Sequence, residues 1–104
     1  MALYETTLIL RSDLATTEVE KVTNGFEDVI KSGGKTIKKE FWGLRDLAYK
    51  VNKSKKGHYV HFGYEATAET VTELRRKLGL SEDVIRDFTV KVEKISKETT
   101  DLDS

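Results

Sequence analysis

Four strands and two helices in an α+β arrangement follow from three observations on this sequence. Period-two alternation recurs in four stretches, apolar residues at helical spacing recur in two, and these segments come in the order β-α-β-β-α-β. With 104 residues the chain has room for one domain and not two, because domains usually need roughly 100 to 150 residues each. Hydrophobic residues make up 38% and charged residues 35%, which leaves enough apolar side chain for one small core and argues against disorder of the whole.

The first strand runs from Leu3 to Leu10, with Tyr4, Thr6, Leu8 and Leu10 on one face and Leu3, Glu5, Thr7 and Ile9 on the other. Thr17-Glu18-Val19-Glu20 then reads as a capping box, and Val19, Val22, Phe26, Val29 and Ile30 carry a helical stripe to Gly33-Gly34, read as a left-handed stop. Asn24-Gly25 is a turn signal, but it lies inside that stripe, and the period overrules it. Thr36 to Val51 is a long extended stretch with a bulge or bend expected at Gly43, and Gly57 to Ala66 is the third strand, joined through a hairpin loop at 52–56. His58, Val60, Phe62 and Tyr64 share its core side. Thr67 caps a second helix with the stripe Val71, Leu74 and Leu78, and Gly79 followed by Leu80 reads as a Schellman ending. Val84 to Val92 is the last strand, and the polar residues after Ile95 are expected to fray.

That order is the split βαβ motif of a ferredoxin-like sandwich, in which both helices cover one face of a four-stranded antiparallel sheet. The domain is expected to occupy residues 1–95, with 96–104 as a disordered tail. Nothing in the pattern supplies a second layer, so Leu3, Ile9, Tyr59 and Trp42 on the open face suggest a surface for a partner.

Eighteen basic and eighteen acidic residues cancel overall, but they are not mixed. Between Lys31 and Lys56 stand nine basic residues against Glu40 and Asp46, a net +7, and the rest of the chain carries −7. Such segregation makes one positive face on a body that repels anions elsewhere. The plainer reading is that lysines on a hairpin keep an edge strand from pairing with other chains.

Several chemistries are excluded or weakened. Without cysteine there is no disulfide, thiolate zinc site, iron–sulfur cluster or cysteine nucleophile, and a reducing cytosol fits by default. No apolar run reaches the roughly 20 residues of a membrane-spanning helix, and the start has no signal-peptide pattern. Gly34-Lys35-Thr36 imitates the end of a phosphate loop, but Val29 stands where its first glycine belongs, and the segment leaves a helix for a strand, the reverse of that loop. His58 and His61, three apart in a strand, point to opposite faces and cannot share a metal. Neither a metal nor a cofactor is expected. Arg11, in the first strand-to-helix loop, sits where small ferredoxin-like acylphosphatases hold an anion, though RSDLATT lacks their glycines. Lys56-Gly57-His58-Tyr59-Val60-His61-Phe62 partly matches the RNA recognition motif, which stacks bases on sheet aromatics.

A more specific likeness begins at Gly43. Gly43-Leu44-Arg45-Asp46-Leu47-Ala48-Tyr49-Lys50-Val51-Asn52 resembles the signature of the family of the sixth protein of the bacterial small ribosomal subunit. The likeness includes Tyr4-Glu5 in the first strand, Gly57-His58-Tyr59 in the third and Val84-Ile85-Arg86 in the last, and covers residues 1 to about 95. Val51 replaces the usual Ile, and Ala2-Leu3 stands where many members carry Arg. The resemblance implies a noncatalytic, cytoplasmic, ribosome-associated protein that assembles on the central domain of small-subunit ribosomal RNA, paired with the eighteenth protein of that subunit. On this reading Arg45, Lys50, Lys53, Lys55 and Lys56 meet phosphates along the hairpin, Arg86 and Lys91 extend the patch from a nearby strand, and Trp42, Leu44 and Tyr59 anchor the protein partner.

Overall fold

Strand β1, Ala2–Arg11, is one of the two central strands of the sheet, with both of its edges paired. Helix α1 (Thr16–Ser32), strands β2 (Gly34–Val51) and β3 (Ser54–Ala66), helix α2 (Ala68–Leu80) and strand β4 (Val84–Val92) follow in a computed structural model, which describes residues 1–51 and 54–95 and the side chains of 1–45 and 56–95. The sheet order is β2-β3-β1-β4, antiparallel throughout. This is the ferredoxin-like order, with both helices on one face.

The predicted parity of β1 and β3 holds. Leu8, Leu10, Val60, Phe62 and Tyr64 are fully buried beneath the Val19, Phe26, Val29 and Ile30 stripe of α1 and the Val71, Leu74 and Leu78 stripe of α2. Each such side chain withdrawn from water contributes about 1.5–3 kcal/mol. The buried hydroxyls of Thr6, Thr23 and Tyr64 are paired, Thr23 donating to the Val19 carbonyl at 2.6 Å. The hydroxyl of Thr6 lies 2.8 Å from that of Tyr64 and 2.9 Å from that of Thr89, so three strands share one hydroxyl chain. Burial pushes the Tyr64 phenol above its usual range.

Helix ends depart from the sequence-based expectation. Helix α1 starts before Thr17: Ala15 is the N-cap, and its N–H donates to the Glu18 carboxylate at 3.1 Å. The acid at N3 therefore does the capping alone. Gly33 is not left-handed, since its φ is −143°. Both glycines after α1 are required by close approach instead. A Cβ on Gly33 would lie 1.9 Å from Thr70 Oγ1, and one on Gly34 would lie 1.9 Å from the Glu65 carbonyl oxygen. At the far end of α2, Gly79 and Leu80 remain helical, and Ser81 closes the helix by donating its N–H to Lys77 and Leu78. Leu80 is 70% exposed and lacks the apolar contact that a Schellman ending uses. Thr67 does cap α2, accepting from the Thr70 N–H at 3.2 Å.

Gly43 adopts φ +84° at a bulge between Phe41 and Gly43, as its place in β2 predicts. Strand β3 begins at Ser54, earlier than expected, and pairs Ser54 with Val51, so the connection is shorter than 52–56. The open face is also less bare than the pattern implies. Beyond β4 the chain turns so that Ile95 seats on Gly63: a Cβ there would lie 2.7 Å from Ile95 Cγ2 and 3.3 Å from Lys38 Cβ. One end of that face is therefore covered from within the domain. Residues 96–104, the expected tail, lie outside the described residues.

Two glycine substitutions test this account of the turns. Gly25 is exposed in mid-helix, and a methyl group added there would have nothing within 4 Å, so Gly25→Ala should add about 0.5–1 kcal/mol and raise Tm by several degrees, read by thermal denaturation. Gly34→Ala meets backbone that cannot swing aside and should cost about 2 kcal/mol or more.

Candidate nucleic-acid interface

Strand lengths are unequal, and that inequality builds the site. The rung Arg45, Gly57, Arg11 is the last with three strands, because β1 ends there. Past it only β2 and β3 continue, through the pairs Asp46–Lys56 and Val51–Ser54, as a two-stranded arm. Its β3 side, Ser54–Lys56, is about 10 Å long at 3.4 Å per residue.

The nine cations of the basic segment divide by position. Lys35 stands opposite Glu65, and three others are met by acids, Lys31 and Lys39 at helix α1 and Lys38 on the open face. Lys39 Nζ lies 2.9 Å from Glu27 Oε1 and donates to Asn24 Oδ1 at 2.7 Å, Lys31 approaches Glu27 Oε2 at 3.8 Å, and Lys38 lies 3.4 Å from Glu40. Burial works to raise the Glu27 carboxyl, but the hydrogen bond and charge of Lys39, with the charge of Lys31, outweigh it and hold the group below its ordinary 4.5. Five others come at or after the Arg45 rung in the chain. Arg45 stands at the root, where its Nε–H donates to the Trp42 carbonyl at 3.1 Å across the Gly43 bulge. Lys56 is exposed opposite Asp46. Lys50 and Lys55 belong to the two strands of the arm, with side chains outside the described set, and Lys53 lies outside the described residues.

The other two expected cations part company. β4 lies at the edge opposite β2, next to β1. Arg86 pairs with Ile9, which pairs with Tyr59, so it stands on the open face at the same end of the sheet as the arm, with its guanidinium 4.9 Å from the Phe88 ring centre. Lys91 pairs with Tyr4, five residues from Arg86, about 17 Å away at 3.4 Å per residue. The structure does not bring it to the arm.

The three expected partner anchors also divide. Trp42 and Tyr59 line a groove of about 390 Å³ on the open face, with Glu5, Thr7, His61, Phe88 and Val90. Leu44 pairs with His58, whose Nε2–H donates to the Leu14 carbonyl on the helix side, so Leu44 faces away from the groove. Exposed Leu44 and Phe41 make a separate apolar edge there. Sequence reasoning missed the groove's contribution from β4. Alternation shows which of Phe88, Thr89 and Val90 go together, but only the pairing of Thr89 with Thr6 shows which pair of faces they take.

Competing chemistries find little support. Arg11 is held by Asp83 at 2.9 Å and Asp13 at 3.7 Å, and the Glu18 carboxylate occupies the start of α1, an arrangement that repels an anion. Tyr4 stacks on Tyr64 on the helix side, ring centres 5.9 Å apart, so Tyr59 has Ile9 and not an aromatic beside it in β1. Among the described residues no three His, Asp or Glu side chains converge as a metal site.

The chain is similar to known proteins along most of its length. Residues 3–91 match the family model described as Ribosomal protein S6. The small ribosomal subunit protein bS6 of Rhodospirillum centenum is 48% identical over 101 residues, covering 96% of this chain and 62% of that protein, so the chain spans about three fifths of that relative's length. The bS6 protein of Rickettsia prowazekii is 42% identical over 103 residues, covering 98% of this chain and 85% of that protein. The crystal structure of 30S ribosomal protein S6 from Thermotoga maritima superposes with a TM-score of 0.83 at 24% identity, covering 88% of this chain and 87% of that one, a likeness of fold.

The Glu27 cluster gives the site a pH signature. Because its native value lies below 4.5, its stabilising contribution is complete above the unfolded-state value and is lost as pH falls through the native one. Glu27→Gln should cost about 1–2 kcal/mol at neutral pH, discounted for partial exposure of the pair. Chemical denaturation of both proteins should show that gap closing as pH falls from about 5 to 3.

Proposed function

The chain belongs to the ribosomal protein S6 family, and from that premise we propose that it is a noncatalytic constituent of the bacterial small ribosomal subunit. It holds the central domain of small-subunit ribosomal RNA through the β2–β3 arm, and it does so beside the eighteenth protein of that subunit, which seats on the open sheet face. It works in the cytoplasm as part of the ribosome. The resemblance supplies the identities of the RNA domain and of the protein partner. What supports them in this molecule is the placement of charge and of apolar surface.

One observation supports the reading: the basic segment continues beyond the last three-stranded rung, with Arg45 on that rung and Lys50, Lys55 and Lys56 on the two strands past it, whereas Lys31 and Lys39 sit against the Glu27 carboxylate of α1. A phosphate approaching the arm meets ammonium and guanidinium groups without first crossing the acidic helices. Each phosphate neutralised releases condensed counterions, which makes such binding strong at low salt and weaker as salt rises. Arg45 and Arg86 flank the root, Lys50, Lys55 and Lys56 follow on the two strands of the arm, Lys53 stands between those strands in the sequence, and Lys91, at the opposite end of the sheet, takes no part. Trp42 and Tyr59 form the floor of the partner surface, and Leu44 with Phe41 provides a second contact along the β2 edge.

Binding of the full chain to central-domain RNA over a salt series tests the assignment. Replacing Lys53, Lys55 and Lys56 together by Ala should weaken affinity and flatten the log–log salt slope by about one unit per lost phosphate contact. A slope equal to that of the parent protein removes the arm from the RNA surface.

A further inference from the structure

The open-face groove combines three aromatic rings with one carboxylate, a pairing that selects for cations. Its floor is the row Phe88, Thr7, His61 across β4, β1 and β3. Trp42 lies flat on His61, with ring centres 5.0 Å apart and planes 9° apart. His61 is buried and engaged at both ring nitrogens: Nε2–H donates to Glu5 Oε1 at 2.9 Å, and Nδ1 lies 3.0 Å from the Thr7 hydroxyl. Phe88 and Val90 form the opposite wall, 48% and 56% exposed. Glu5 is the one charged side chain among the groove's lining residues, and its partner among the described residues is His61.

Among the described residues no lysine or arginine is paired with that carboxylate. Lys38 is turned to Glu40 at 3.4 Å, and Arg86 stands over Phe88, on the rung of Ile9, four residues along β1 from Glu5. Arg86 also demonstrates how this surface treats a guanidinium, since it lies 4.9 Å from the Phe88 ring centre. Ring faces carry negative potential and attract cations, more so where water is excluded. The same carboxylate repels a nucleic-acid phosphate, so the groove and the arm suit partners of opposite charge.

Resting on the reading of the open face as a protein-docking surface, we infer that this groove receives an arginine side chain from a basic segment of the partner protein, its guanidinium laid against the aromatic walls and paired with the Glu5 carboxylate. An arginine fits better than a lysine because its planar group can stack and donate two parallel hydrogen bonds at once. RNA on the arm and a basic protein in the groove then bind through separate surfaces of one small domain.

Trp42 is the chain's only tryptophan, so its fluorescence reports the groove directly. The probe is a blocked ten-residue peptide of alternating arginine and serine, titrated into the full chain, with a citrulline-for-arginine peptide and a decamer of uridylate as comparators. Saturable change in Trp42 emission is expected with the arginine peptide. Its affinity should drop about tenfold with the citrulline peptide and about as far in Glu5→Gln, a substitution that still accepts from His61. Phe88→Leu should weaken it severalfold while keeping the apolar wall. If affinity ignores both citrulline and Glu5→Gln, or if the uridylate decamer binds in the groove and Glu5→Gln tightens it, the inference is overturned. The Lys53, Lys55 and Lys56 triple substitution should leave peptide affinity intact and Glu5→Gln should leave the RNA salt slope intact, so failure at one surface is distinguishable from failure at the other.

Discussion

Everything that this domain presents to a partner depends on the mismatch between β1 and the two strands of the β2–β3 hairpin. Ten residues of β1 pair along β3 from Ala2–Ala66 to Arg11–Gly57, and there the third strand stops. Past that rung the two strands are paired with each other alone, at Asp46–Lys56 and Val51–Ser54, and their outward backbone groups face water. The helices cannot follow it, because each must bury its apolar stripe over the sheet's paired region. Among the described residues Glu27 of α1 consequently meets Lys31 and Lys39 and not the basic residues from Arg45 onward.

The same mismatch links stability to function. Lys39 belongs by sequence to the basic segment but serves the fold, tying β2 to α1 through Glu27 and Asn24. Removing either member of so sheltered a pair leaves the other without its partner, which costs more than the pair itself contributes. Arg45, six residues on, stands past the helices and is steadied instead by the Trp42 carbonyl. That contact bridges the Gly43 bulge, where a positive φ bends the strand that carries the arm. At the open face, Ile95 covers Gly63 and Lys38, and the uncovered remainder is the aromatic groove. Basic arm and acidic, aromatic groove thus occupy regions that neither the helices nor Ile95 covers among the described residues.

Much of this is legible in the residues alone, for reasons that differ by element. Alternation in β1 and β3 and the stripes of α1 and α2 report burial, which sets the fold, and Leu8, Phe62, Phe26 and Leu74 all lie where the periods put them. Helix ends are harder to read because capping depends on which atoms meet. Glu18 reaches Ala15 without a hydroxyl, and Gly33 is needed for space beside Thr70 and not for its backbone angle. Charge segregation is visible in the chain, but the division between lysines that serve the helices and lysines of the arm requires the register. Leu44 and Trp42 are two residues apart, the spacing of one strand face, which groups them in the sequence; the Gly43 bulge between them breaks that parity. Edge-strand residues such as Phe88 and Val90 give no sign of their importance, since an exposed apolar side chain is ordinary until its neighbours across the sheet are known.

Amide hydrogen exchange of the full chain, compared with and without central-domain RNA, tests the central claim most directly. Slowed exchange confined to the arm and its root, from Arg45 through Gly57, with the outer faces of α1 and α2 unchanged, is the predicted result. Protection concentrated on those helices, with the arm exchanging as it does in the free protein, would contradict the account.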